Sequence, residues 1–226
     1  LPIYLRCNSI KCTPNELAES LEKDGLSVEF VDNMLQSLAV RGAVEHTEAF
    51  KKGWFHVQDL ACQYACEALM PQKDMTALDV CAAPGGKSFT IAGIMGNSGK
   101  VVSCDIHPHR VKLIEKGAQR LGYNSVVAQL NDATEFNKEL DQFDRVLCDV
   151  PCSGVGVIHR KPDIRYKNKE DIEKLPEVQK AILEASSNYV KKGGFIVYST
   201  CTLNRAENED VVEAFLKEHN EFSLCP

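Results

Sequence analysis

The chain has 226 residues, 44% of them hydrophobic and 26% charged, with a formal net charge of −6. This composition is that of an ordinary soluble globule, long enough for one large domain with a small appendage. No run approaches the ~18 apolar residues of a membrane span, and the opening LPIYLRCNSIK lacks the apolar core of a secretory signal, so a cytoplasmic protein is expected.

IYLRC (3–7) predicts a short strand, and Thr13-Pro14-Asn15-Glu16 has the form of a capping box with Pro at the first helical position. The helix it opens carries Leu17, Ala18 and Leu21 and stops near Gly25. LSVEFV and SLAVRGAV follow with strand composition. Residues 1–55 therefore read as a small α+β subdomain, and 56–226 as a second domain. Asp59 is placed to cap a helix carrying Leu60, Tyr64, Ala68 and Leu69, which ends before Pro71.

Strands and helices then alternate. ALDVCA, KVVSCDI, SVVAQL, FDRVLCDV and GFIVYST read as strands. The intervening GKSFTIAGIM, PHRVKLIEKGAQRL and PEVQKAILEASSNYVKKG, and the final RAENEDVVEAFLKEH, read as helices. Such alternation predicts an α/β fold with a mostly parallel sheet and helices on both faces. Only five strands are visible, so the chain reads as a piece of something longer whose sheet continues past its carboxyl end.

The strand ALDV (77–80) runs into CAAPGGKS (81–88). This misses the phosphate loop G-x-x-x-x-G-K-[ST] by one residue, Cys81, and Pro84 would remove an amide from the phosphate cradle. It also fails the dinucleotide pattern G-x-G-x-x-G. Asp105 ends the next strand, some twenty residues on, where an acidic group in such folds binds ribose hydroxyls. Asp132 follows the third strand, within reach of an adenine amine. A nucleoside cofactor without a large phosphate demand fits best, and S-adenosylmethionine is the common candidate.

Ten cysteines invite a disulfide framework or a zinc site. The first is disfavoured by the missing signal and by Cys62, Cys66, Cys104 and Cys148 lying in predicted core elements; the second by 62/66 and 148/152 spacings without paired histidines, so no metal is expected. Cys152 and Cys201 differ from the rest. Each follows a strand, in DVPCSG and YSTCT, so both face the crevice at the carboxyl ends of a parallel sheet. Two thiols beside a cofactor loop point to covalent chemistry. The negative net charge argues against nucleic acid, but Arg160, Lys161, Arg165, Lys167 and Lys169 form a basic patch directly after the Cys152 loop.

ALDVCAAPGGKS, DVPCSGVGVIHRKPDIRY and YSTCTLNRAENEDVV together resemble the Sun/Fmu family of RNA cytosine-C5 methyltransferases. The resemblance runs from about Pro2 to Val212 and implies a Rossmann-like S-adenosylmethionine-dependent fold. It implies that Cys81, Ala82, Ala83, Pro84, Gly85, Gly86 and Lys87 line the cofactor site with Asp105, Asp132 and Asp149. It makes Cys201 the nucleophile and Cys152 the thiol that assists release of the product. Asp149 is expected near N3 of the cytosine, and Lys87 to steer the cofactor carboxylate or the base. Arg160, Lys161 and Arg165 are expected to hold the RNA backbone near a flipped-out base. Ribosomal RNA is the expected substrate, with transfer RNA and a non-catalytic RNA-binding fragment as alternatives. A monomer is favoured. The family's carboxyl-terminal strand pair and the amino-terminal helical domain of its ribosomal branch have no counterpart in this sequence.

Overall fold

The computed structural model describes residues 1–225. Thr13 caps α1 (Pro14–Lys23): its Oγ1 accepts the Glu16 amide at 3.3 Å, and Glu16 accepts the Thr13 amide at 2.8 Å. Together they satisfy two amides that the first turn leaves open. The buried face of α1, Leu17, Ala18 and Leu21, packs on a small antiparallel sheet. Its strands are β1 (Ile3–Cys7), β2 (Ser27–Phe30), β3 (Ser37–Arg41) and β4 (Phe55–Val57), in spatial order β2-β3-β1-β4. Between β3 and β4 lies a single turn of helix, α2 (Glu48–Lys51). Because β4 pairs with β1, Val57 opposite Leu5, the small sheet runs past the boundary expected at 55.

The second unit contains α3 (Leu60–Ala68), β5 (Thr76–Asp79), α4 (Gly86–Ile94), β6 (Lys100–Asp105), α5 (Pro108–Leu121) and β7 (Val126–Leu130). It continues through β8 (Phe143–Asp149), α6 (Lys169–Glu173), α7 (Leu175–Ser187), β9 (Val190–Ser199) and α8 (Glu209–Glu218). The five strands are parallel, in order β7-β6-β5-β8-β9. Successive residues alternate between two cores. Ala77 and Val101 join Phe89, Ile91 and Ile114 on one face, whereas Leu78 and Val102 join Ile182, Leu183 and Phe215 on the other. The α/β expectation and its five strands are realised.

The chain moves outward from β5 to β7, then returns to place β8 on the other side of β5. Crossovers leave in opposite directions there, which opens a crevice above the carboxyl ends of β5 and β8. The order of strands thus decides where a ligand can sit.

Three local expectations are corrected. The helix expected through Gly193 stops at Ser187, and β9 begins at Val190 rather than 194. Buried Tyr189 accepts the Phe143 amide through its carbonyl at 2.7 Å, which draws the chain into the sheet early. The helix expected from Arg205 is interrupted at Asn208, whose Nδ2 donates to the carbonyls of Thr202 and Asn204 and holds a non-helical backbone. Asp59 stands at the cap position of α3 but makes no capping bond. No helix among the described residues is long and apolar enough to cross a membrane.

Candidate active site

Above the carboxyl ends of β5, β6, β8 and β9 lies a cavity of about 600 Å³. Of the residues expected at a cofactor, Cys81, Ala83, Asp105, Asp132 and Asp149 line it. Ala82, Pro84, Gly85, Gly86 and Lys87 are not among its lining residues. The Ala82 amide donates to the Cys104 carbonyl at 2.7 Å, tying the loop to β6. Gly85 precedes α4 with φ at +110°, and a side chain there would collide with the ring of Phe89.

Asp105 is 4% exposed. Its Oδ1 accepts the His107 amide at 3.0 Å, and its Oδ2 faces Arg110 Nη1 at 3.2 Å. Arg110 also donates to the Ala83 carbonyl at 2.8 Å, so one guanidinium links the loop to the aspartate. Sequence reading missed Arg110; the only signal was its position one turn into the helix after Asp105. Asp132 Oδ1 accepts both the amide and the hydroxyl of Thr134, at 2.9 and 2.7 Å.

Asp149 is held from both sides. Ser199 Oγ donates to Oδ1 at 2.7 Å, and Lys87 Nζ lies 2.6 Å from Oδ2. Burial works against the Lys87 charge, yet Asp149 raises its pKa overall. Lys87 thus meets the cleft through its pair with Asp149, which lines it. Beneath them, burial pushes Asp79 up to about 7 in spite of the hydrogen bond from Ser88.

Cys152 and Cys201 meet. Their sulfurs are 2.8 Å apart, on loops that leave the neighbouring strands β8 and β9. The hydrogen bond from the Cys201 thiol lowers Cys152 to about 7, against burial and with help from the amides of Cys201 and Gly154. Sharing that proton pushes Cys201 the opposite way, upward, with burial adding to the effect. The contact thus favours the charged form of Cys152 over that of Cys201. The two loops are also locked together by Ser153 and Thr202, whose hydroxyls lie 2.7 Å apart.

Glu207 is the anchor behind this lock. Fully buried, it accepts the Ser153 amide at 2.8 Å, Gln179 Nε2 at 3.0 Å and Asn204 Nδ2 at 3.1 Å. Burial opposes its ionisation, but these donors hold its pKa below the ordinary value. Two cysteines inside the parallel sheet follow a simpler rule: burial pushes both Cys104 and Cys148 up to about 12.

The basic residues separate. Lys161 and Lys167 line the cavity, and Lys161 favours the charged form of Cys201. Lys167 Nζ donates to the carbonyls of Cys152 and Ser153, at 3.1 and 3.0 Å. Arg165 is exposed. Arg160 pairs with Asp59, Nη1 to Oδ2 at 2.9 Å.

With this geometry in view, comparison with known proteins gives a consistent result. The 16S rRNA methyltransferase RsmB/F family matches residues 66–226. This chain belongs to the RsmB/F family. Among its family relatives, the probable ribosomal RNA small subunit methyltransferase B of Bacillus subtilis (strain 168) is 44% identical over 222 residues, covering 96% of this chain and 50% of that protein. The 28S rRNA (cytosine-C(5))-methyltransferase of Mus musculus is 34% identical, with 97% of this chain and 29% of that protein covered. A crystal structure of a methyltransferase homolog from Pyrococcus horikoshii superposes with a TM-score of 0.83 at 29% identity, covering 96% of this chain and 70% of that one. The chain spans about half the length of the bacterial RsmB/F relatives it matches.

Proposed function

We propose that this chain carries the catalytic part of an S-adenosylmethionine-dependent RNA cytosine-C5 methyltransferase acting on ribosomal RNA. The observation that carries this reading is the 2.8 Å contact between Cys152 and Cys201, made in the same cleft as Asp105 and Asp149. Membership of the RsmB/F family and likeness to a cytosine-C5 methyltransferase support it. The cleft suits a nucleoside cofactor: Asp105 and Asp132 offer acceptors after successive strands, and Val80, Ile106 and Pro151 offer apolar walls. When bound, S-adenosylmethionine supplies the methyl group that carbon 5 takes up.

The chain's own residues prepare and release the base. The Cys201 sulfur bonds to carbon 6 of a flipped-out cytosine as its proton passes to N3 of the base. The carbon 5–carbon 6 electron pair then shifts onto carbon 5. Asp149, fixed by Lys87 and Ser199, accepts a hydrogen bond from the amino edge of the base beside N3. The Cys152 thiolate then takes the carbon-5 proton, the double bond re-forms as the sulfur–carbon bond breaks, and N3 returns its proton to Cys201. Lys161 and Arg165 provide positive charge for the RNA backbone near the cleft.

Denaturing gels with a cytosine-containing RNA and S-adenosylmethionine test the assignment. Cys201→Ala abolishes both methyl transfer and any covalent protein–RNA band. Cys152→Ala still transfers the methyl group but accumulates the covalent band. Exchange of these patterns reverses the two roles, and an active unmodified protein with no band in either variant overturns the covalent route.

A further inference from the structure

Residues 154–167 roof the cleft, placing Val157, Lys161 and Ile164 over it. The segment contains only two short 3₁₀ turns, Val155–Val157 and Pro162–Tyr166, and so depends on its attachments. At its start, the Gly156 amide donates to the Cys201 carbonyl at 3.1 Å. At its end, Lys167 holds the Cys152 and Ser153 carbonyls. Its middle is held from outside the catalytic sheet. Arg160 pairs with Asp59 at 2.9 Å and lies 5.4 Å from the ring centre of Tyr4, on β1 of the small sheet.

Two details make this attachment more than an incidental surface pair. Asp59 occupies a helix cap position yet turns its carboxylate away from the helix amides and toward Arg160. Arg160 adjoins Lys161, the cation that favours the charged form of Cys201. A partly exposed ion pair adds little to global stability, but a modest bias suffices to select one arrangement of a loop built from two short 3₁₀ turns.

We infer that the Asp59–Arg160 pair is a clasp by which the small subdomain positions the cleft roof, making both of them positioning residues for the reaction and not phosphate contacts. This rests on the cytosine-C5 methyltransferase reading only for its kinetic consequence; the clasp itself is visible without turnover.

The test compares the unmodified protein with Asp59→Ala, Arg160→Ala, the double alanine variant and the exchanged pair Asp59→Arg/Arg160→Asp. Hydrogen exchange of amides 155–167 rises at least fivefold in each alanine variant, no further in the double one, and is at least half restored in the exchanged pair. On a cytosine-containing RNA oligomer, kcat falls at least fivefold in both single variants while KM changes less than twofold. The slope of log affinity against log salt is unchanged by Arg160→Ala and shallower in Lys161→Ala, which removes a charge facing the RNA. An Arg160→Ala variant that flattens this slope as Lys161→Ala does, beside an unaltered Asp59→Ala, overturns the clasp. Unchanged amide exchange in both single variants also overturns it. Absent turnover with the expected exchange pattern refutes the methyltransferase reading and leaves the clasp standing.

Discussion

The two sheets of this protein treat buried polar groups in opposite ways. In the antiparallel sheet they reach across to a neighbouring helix: Arg6 donates to Gln63 and Glu67 of α3, and Ser37 donates to Gln63. In the parallel sheet, polar groups gather where strands end: Asp105, Asp149 and Ser199 close β6, β8 and β9, and Asp105 and Asp149 line an open cleft. Antiparallel neighbours distribute their strand ends over two edges, whereas parallel neighbours bring every carboxyl end to one rim. Chemistry follows the rim, and the small sheet is left to support it.

The sharpest way to break this contrast is a core truncation in the small sheet. Leu5→Ala, at a fully buried position, is expected to cost ~2–5 kcal/mol of stability. Calorimetric affinity of the folded variant for S-adenosylhomocysteine should match that of the unmodified protein. A parallel fall in affinity would make the small sheet part of the cofactor site.

Asp105→Ala makes the reverse demand. It should weaken cofactor binding by ~1–3 kcal/mol, the usual consequence of removing one partner of a charged hydrogen bond. The change in melting temperature without cofactor should be small, because Arg110 keeps its bond to the Ala83 carbonyl. A large loss of stability with unchanged affinity would assign Asp105 to the fold alone.

The smallest effect is a shift in reactivity at the rim. Cys152, lowered to about 7, is mostly thiolate above that pH, so its alkylation by iodoacetamide should rise with a midpoint near pH 7. Cys201→Ala removes the first cause of the lowering and moves this midpoint upward. A Cys152 midpoint above pH 8.5 in the unmodified protein would contradict the shared proton.

What the sequence revealed and what it concealed divide along the same line. The capping box at Thr13, the five parallel strands and the two rim cysteines were all legible, because each is written in a short contiguous pattern. Glu207 was not. It acts on Ser153, 54 positions away, and on Gln179, 28 away, and nothing local distinguishes it from the other acids of RAENED. Asp59 and Arg160 were both noticed but given separate roles, a helix cap and a phosphate contact, since only the packed structure shows them facing each other. The late start expected for β9 has a similar origin. Val190 to Gly193 reads as a helix end until Phe143 is found beside it.

The position of Cys201 just after β9 also orders events in time. Cys152 leaves the ribosome 49 residues earlier than its partner, and at cellular rates of synthesis that interval is on the order of seconds. Throughout it, the growing chain holds Asp105, Asp149 and Cys152 but lacks the second sulfur that draws the pair's proton into play. Only when β9 docks beside β8 do the reactive groups meet.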